Sequence, residues 1–240
     1  MRTRLQATNC VAPVVRTAHP TRGLAMNYLP LLLPVVLLTL GTELVNADEV
    51  LTVNGCRIEA DSQCPNANLQ GANLSNQDMR RMNLEGADLR GADLRHSRLD
   101  LANLEKANLQ GANLTRASLQ QSQLRLADFS NSTLVAINGW AMYAQAAKFN
   151  QADMRAANLE FARLSAAKLH NANLQAANLE MTWLSKADLK GADLQDANLQ
   201  EVKLSGSNLA NADLSGTRTH YGNFQGANME GCTACPDGWE

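Results

Sequence analysis

The sequence predicts an all-β solenoid, a chain wound into a stack of square coils. Three observations predict it. Leu recurs at every fifth position without a break from Leu159 to Leu214. Ala stands two residues before most of these leucines, with Asn or Asp between, as in Ala172-Asn173-Leu174. The third observation is that a period of five fits neither regular element. On an α-helix it would rotate each Leu by roughly 140° from the last. In an unbroken strand an odd period would send alternate leucines to opposite faces. Ala and Leu two apart share a face, so the remaining residues must turn the chain before the next pair. Four such turns close a square, and the chain regains the same wall every twenty residues.

The chain opens on a leader, residues 1–47. Residues 1–25 hold Arg2, Arg4, Arg16 and Arg22 and no Asp or Glu, and the apolar run Leu29–Leu40 follows, carrying Pro30 and Pro34. That run is shorter than the roughly 20 residues a membrane span needs. Val45-Asn46-Ala47, just before Asp48-Glu49, has the small-x-small form of a cleavage site. Basic region, apolar core and cleavage site together predict an export signal cut after Ala47. The alternative is an uncleaved leader that anchors the chain in a membrane. The leader's length fits either a translation start at Met26 or an organelle-targeting extension ahead of the signal. Residues 48–66 are expected to cap the first coil, with Val50, Leu51, Val53 and Ile58 laid over it.

The repeat itself runs over residues 67–229, with centres from Leu69 to Met229 in one frame. All but Gly139, Ala144 and Thr219 are Leu, Met or Phe. Written out as Ala87-Asp88-Leu89-Arg90-Gly91 and Ala92-Asp93-Leu94-Arg95-His96, the unit resembles the pentapeptide-repeat proteins. The resemblance implies a right-handed quadrilateral β-helix of about eight coils, roughly 40 Å long at strand spacing. It also implies Leu inward, Ala inward near the corner and the last two positions outward. Asp78, Asp88, Asp93, Asp128, Asp153, Asp188, Asp193 and Asp213 are expected at corners, as turn residues that bond nearby backbone.

From Val135 to Ala146 the pattern weakens. Gly139 and Ala144 leave two walls underfilled; Met142 is expected to fill the hole at Ala144, and Phe129 to stack on Phe149, twenty residues on. Trp140 and Tyr143 should then point outward. They are read either as a partner-binding patch or as a repaired scar lying on its own wall. Trp183 is read as local packing at a corner.

Residues 230–240 form the second cap, with Cys235-Pro236-Asp237-Gly238-Trp239 as a turn and aromatic lid. Four cysteines outside the leader stand as Cys56/Cys64 and Cys232/Cys235. In an exported chain an even count suggests disulfides. The ends of an eight-coil rod lie far beyond the 7 Å that disulfide Cα atoms allow, so only Cys56–Cys64 and Cys232–Cys235 fit. The same distance excludes one shared zinc site. Cys232-Thr233-Ala234-Cys235 has redox-motif spacing without the helix that motif uses, and is read as an end staple.

Without residues 1–47 the chain has 17 basic and 22 acidic side chains, a net charge of −5. No basic stripe for nucleic acid, phosphate loop, zinc motif or nucleophile elbow is present, and His96, His170 and His220 lie far apart. Asp193 and Asp213 stack on one wall, while Asp93 faces Asn113; neither forms a cleft. No catalytic, metal or cofactor site is therefore expected. The leading expectation is an exported scaffold in the periplasm, the thylakoid lumen or outside the cell. It would present flat walls to an unknown protein partner, without nucleic acid and, once cleaved, without a membrane. The alternative, drawn from the resemblance, is a cytoplasmic DNA mimic that binds type II topoisomerase. Arg90, Arg95, Arg125, Arg155, Lys168 and Lys190 on the outer walls argue against it.

Overall fold

The protein's computed structural model describes residues 50–236, which belong to one compact unit, Asn46–Glu240. The expected leader, Asp48 and the Trp239 lid lie outside the described residues.

Every repeat uses the same hydrogen bonds. Ala72 N–H donates to the Leu69 carbonyl at 3.1 Å, closing a four-residue turn around Gln70 and Gly71. Leu69 N–H donates to the Asp88 carbonyl of the next coil at 2.7 Å, and Asp88 N–H donates back to Ala67 at 2.9 Å. Parallel bridges therefore join residues twenty apart, from Gln63↔Asn83 to Asp213↔Thr233. The result is a right-handed quadrilateral β-helix. The pairing reaches one wall beyond 67–229 at each end, because Cys64 takes a Leu position and Cys232 an Ala position.

The corners lie elsewhere than the sequence suggested. Asn and Asp stand at mid-wall, on the bridges, and the two residues after each Leu make the corner. The second corner residue has a positive φ throughout, for example 65° at Gly71, 58° at His96 and 55° at Ala176. A positive φ at the third residue is the mark of a type II turn. The wall Asx still serves that turn: Asn68 Oδ1 accepts from Gln70 N–H at 3.2 Å, and Asn173 Oδ1 from Gln175 N–H at 3.1 Å. At Gly191 even a methyl group would strike the Asn171 side-chain oxygen one coil below.

Inside, the Leu and Ala columns are buried along the coils. Ser in an Ala position keeps its hydroxyl bonded to the carbonyl three residues back, as Ser97 does to Leu94 and Ser122 to Leu119, both at 2.7 Å. Ser207 is buried without such a partner. Ser207→Ala should therefore raise stability by about 1 kcal/mol, and Ser97→Ala should lower it by a similar amount. Thermal unfolding of the two variants measures both.

In the weakened stretch the frame holds. Phe129 stacks on Phe149 with centroids 5.0 Å apart and rings 7° from parallel. Met142 packs into the hole at Gly139, a place not expected of it: a Cβ on Gly139 would lie 2.8 Å from Met142 Sδ. The turn brings the Ala position directly beside the preceding Leu position, so Met142 reaches back.

The first cap is a hairpin of β1 (Thr52–Val53) and β2 (Cys56–Arg57), turning through Asn54 and Gly55 at φ 49° and 82°. Cys56 and Ile58 are buried and Val53 half-buried against the first coil. Leu51 is exposed, contrary to expectation; it bonds Ile58 N–H at the open end of the hairpin, beyond the packed pair Val53↔Cys56. Disulfides join Cys56 to Cys64 and Cys232 to Cys235, with Cα atoms 5.6 and 5.8 Å apart. Non-reduced peptide maps should show these two bridges and no pairing between the ends. Reduction should fray the first and last coils, while central amides stay protected from hydrogen exchange.

Candidate interaction surface

Repeats with Asp on the wall and Arg at the first corner neutralise themselves. In A-D-L-R and A-D-M-R the wall Asp and the first corner Arg lie side by side, so Asp88–Arg90, Asp93–Arg95 and Asp153–Arg155 close as two-point pairs. Each Arg hydrogen bond holds its Asp below the usual carboxylate range. A shallow groove of about 300 Å³ holds Arg80, Arg81 and Arg98, but Asp78 and Asp61 already take these cations. Among the described residues no group of three His, Cys, Asp or Glu is placed to hold a metal ion. Asp193 and Asp213 do pair across neighbouring coils, on a flat wall.

Asp128 is the most strongly perturbed acid. Burial pushes its carboxyl up, but the Ser130 hydroxyl and amide, Gln110 and Lys148 outweigh burial and bring it down to about 2. A pKa lowered by folding gives stability that is complete above the unfolded value and is lost as pH falls from about 4 to about 2. Asp128→Asn should reduce the loss of stability between pH 5 and pH 2 by about 2 kcal/mol. Urea titrations at the two pH values check this.

Exposed apolar residues are not spread evenly. Six large ones are exposed among the described residues, and four of them share one edge and the wall after it. Leu101 (50%), Phe161 (41%) and Tyr221 (75%) occupy second corner positions on the edge between the Asn138 and Tyr143 walls. Their φ values are 62°, 58° and 58°. A left-handed backbone costs an L-residue roughly 1–2 kcal/mol, so bulky apolar groups here bear both strain and exposure. Trp183 (51%) stands on the adjoining wall.

Trp140 and Tyr143 border this surface, both half-buried. Trp140 meets Phe161 edge-on, with centroids 6.1 Å apart. Tyr143, Arg163 and Trp183 succeed one another on one wall, and the Arg163 guanidinium lies 5.1 Å from the Tyr143 ring and 5.7 Å from the Trp183 ring. Trp183 is thus a mid-wall residue that shares an arginine with Tyr143, not corner packing. Counting twenty from Tyr143 reaches Arg163 and then Trp183; that column was the sequence signal for the cluster. Phe161 had no such signal, because its exposure depends on where the corner falls.

The family comparison agrees with this architecture. A family model described as pentapeptide repeats matches eight copies over residues 67–105, 102–131, 152–191, 183–218 and 192–233. Residues 132–151, around the weakened coil, are outside the match. HetL, a pentapeptide repeat protein involved in heterocyst differentiation regulation in Nostoc sp. strain PCC 7120, is similar at 30% identity. That match covers 71% of this chain and 84% of HetL, with a TM-score of 0.33. QnrB1, a plasmid-mediated fluoroquinolone resistance protein, is similar at 20% identity over 71% of this chain and 88% of its own, TM-score 0.39. A pentapeptide repeat protein of the Arabidopsis thaliana thylakoid lumen is 31% identical over 44% of this chain and 63% of its own, TM-score 0.19. No curated protein sequence matches significantly.

Proposed function

The chain belongs to the pentapeptide repeat family, and from that premise we propose that it is an exported, non-catalytic scaffold that binds a protein partner. The observation that carries this reading is the clustering of strained, exposed apolar residues on the Phe161 edge and the Trp183 wall. Large exposed apolar patches mark interaction sites, and a surface selected only for solubility would not retain Phe at a left-handed corner. The Asp-x-Arg repeats support the same reading, since Asp78, Asp88, Asp93 and Asp153 each pair with the Arg two residues on and leave no open charge there. The signal-like leader and the two disulfides support export, because disulfides persist in oxidising compartments. Arginines and lysines interspersed on the outer walls also weigh against a DNA mimic, which needs uncompensated negative charge.

Two measurements test the proposal. Cell fractionation should place the protein outside the cytoplasm with an intact mass beginning at Asp48. A cytoplasmic chain that retains Leu29–Leu40 defeats the export reading. A photo-cross-linking amino acid at position 183 should capture a partner, while the same group at Asn173, on the opposite wall, should not. Equal labelling from both walls defeats the assignment of the surface.

A further inference from the structure

Arg163 differs from the arginines of the A-D-L-R repeats. It occupies the wall position itself, with Ser165 as its first corner residue, so its own repeat contains no Asp to pair with. No carboxylate lies within ion-pairing reach of it among the described residues. It is instead held between two aromatic rings, Tyr143 below and Trp183 above. A guanidinium fixed this way has surrendered its rotamer freedom before any ligand arrives, and its planar donor fork suits a carboxylate.

The surroundings set the chemistry of what binds. The column from Gln123 to Asn223 contains Arg163 and Lys203 and no acid. Apolar Phe161 and Met181 line the neighbouring edge, and Glu160, Glu180 and Glu201 stand on that edge too. Those three carboxylates would repel a polyanion such as nucleic acid or an anionic lipid surface. One or two carboxylates flanked by apolar side chains fit between them.

We propose that Arg163, clamped by Tyr143 and Trp183, reads a carboxylate on a largely apolar protein segment that carries one or two acidic side chains. This rests on the scaffold reading and names the chemistry of its partner. Lys203, about 10 Å away at two coil spacings, is placed to take a second acid of the same segment. Phe161 and Met181 take the apolar groups between.

The test uses the full exported protein with its disulfides intact. The probes are immobilised 15-residue peptides of Leu, Phe and Ser that carry two Asp or Glu flanked by apolar residues, and matched peptides with Asn and Gln in place of the acids. Wild-type protein should bind the acidic set at least tenfold more strongly than the amide set. Arg163→Ala should lose at least tenfold on the acidic set, and Arg163→Lys should retain part of the binding. Unchanged thermal unfolding of both variants, expected for an exposed side chain, shows that the loss is not misfolding. Failure to bind the acidic peptides, equal binding of the amide set, or Arg163→Ala binding within twofold of wild type overturns the clamp. So does stronger binding to duplex DNA or phosphatidylglycerol vesicles than to the acidic peptides. A cross-linked partner from position 183 whose capture survives Arg163→Ala overturns the clamp while leaving the scaffold reading standing.

Discussion

Leu174→Ala should lower the unfolding free energy by about 2–5 kcal/mol, the range for truncating a buried Leu that leaves a cavity. Leu174 is fully buried in the column between Met154 and Leu194. Its amide and carbonyl are committed to Asp193 and Ala177, at 2.7 and 3.0 Å. The backbone ladder holds the coils at strand spacing, so neighbours cannot collapse into the space. Gln195→Ala is the matched control and should cost under about 0.5 kcal/mol. Gln175 is a poorer control, because its Nε2 donates to Asp193 at 2.6 Å. Denaturant titrations of the two variants decide the matter, and equal losses would mean that the inward and outward positions are misassigned. Each coil touches only its neighbours, so hydrogen exchange should place the damage in the coils around Leu174.

Restoring the repeat at its weakest point should fail alone and succeed in a pair. Gly139→Leu supplies the consensus residue, yet its side chain must enter space held by Met142 Sδ and Leu159 Cδ2, 2.8 and 3.1 Å from the first added carbon. Overpacking of this kind costs about 1–3 kcal/mol. Met142→Ala alone empties the same space and should cost about 2–5 kcal/mol. The double variant, Leu at the centre with Ala before the next one, rebuilds the ordinary repeat. Its stability should return to within about 1 kcal/mol of the parent, leaving a coupling energy of at least about 2 kcal/mol in a double-mutant cycle. Simple additivity would show that Met142 does not fill the hole. Gly139 is outside the left-handed region, so no backbone strain confuses the comparison.

Both experiments depend on features with different legibility. The inward column was readable because one residue type recurs at one interval, and burial of Leu and Ala follows from that interval with no long-range information. The twenty-residue return was readable for the same reason, and it placed Phe129 on Phe149 and Asp193 beside Asp213. The position of the corner was readable only in part: Ala and Leu two apart already put the turn in the residues that follow, yet Asp was expected at the corner too. A-N-L-x-x turns equally well around the Asx or after the Leu when only composition is weighed, because Asx favours turns in either place. The ladder decides it: Asn and Asp backbones are needed for bridges between coils, and the positive φ falls two residues after Leu.

The same distinction governs the candidate surface. Trp140 and Tyr143 were visible as departures from the repeat. Trp183 was read as packing at a corner, and Arg163 and Phe161 drew no reading at all. The amino-acid sequence by itself determined the period, the inward face, the four walls and the confinement of each cysteine to its own end. Only the tertiary structure decided that Tyr143, Arg163 and Trp183 share a guanidinium, that Phe161 is strained and exposed, and that Met142 packs into Gly139. The physical reason is that a tandem repeat specifies its average coil locally. Contacts between unlike side chains twenty residues apart depend instead on rotamers and corner geometry that arise once the coils are stacked.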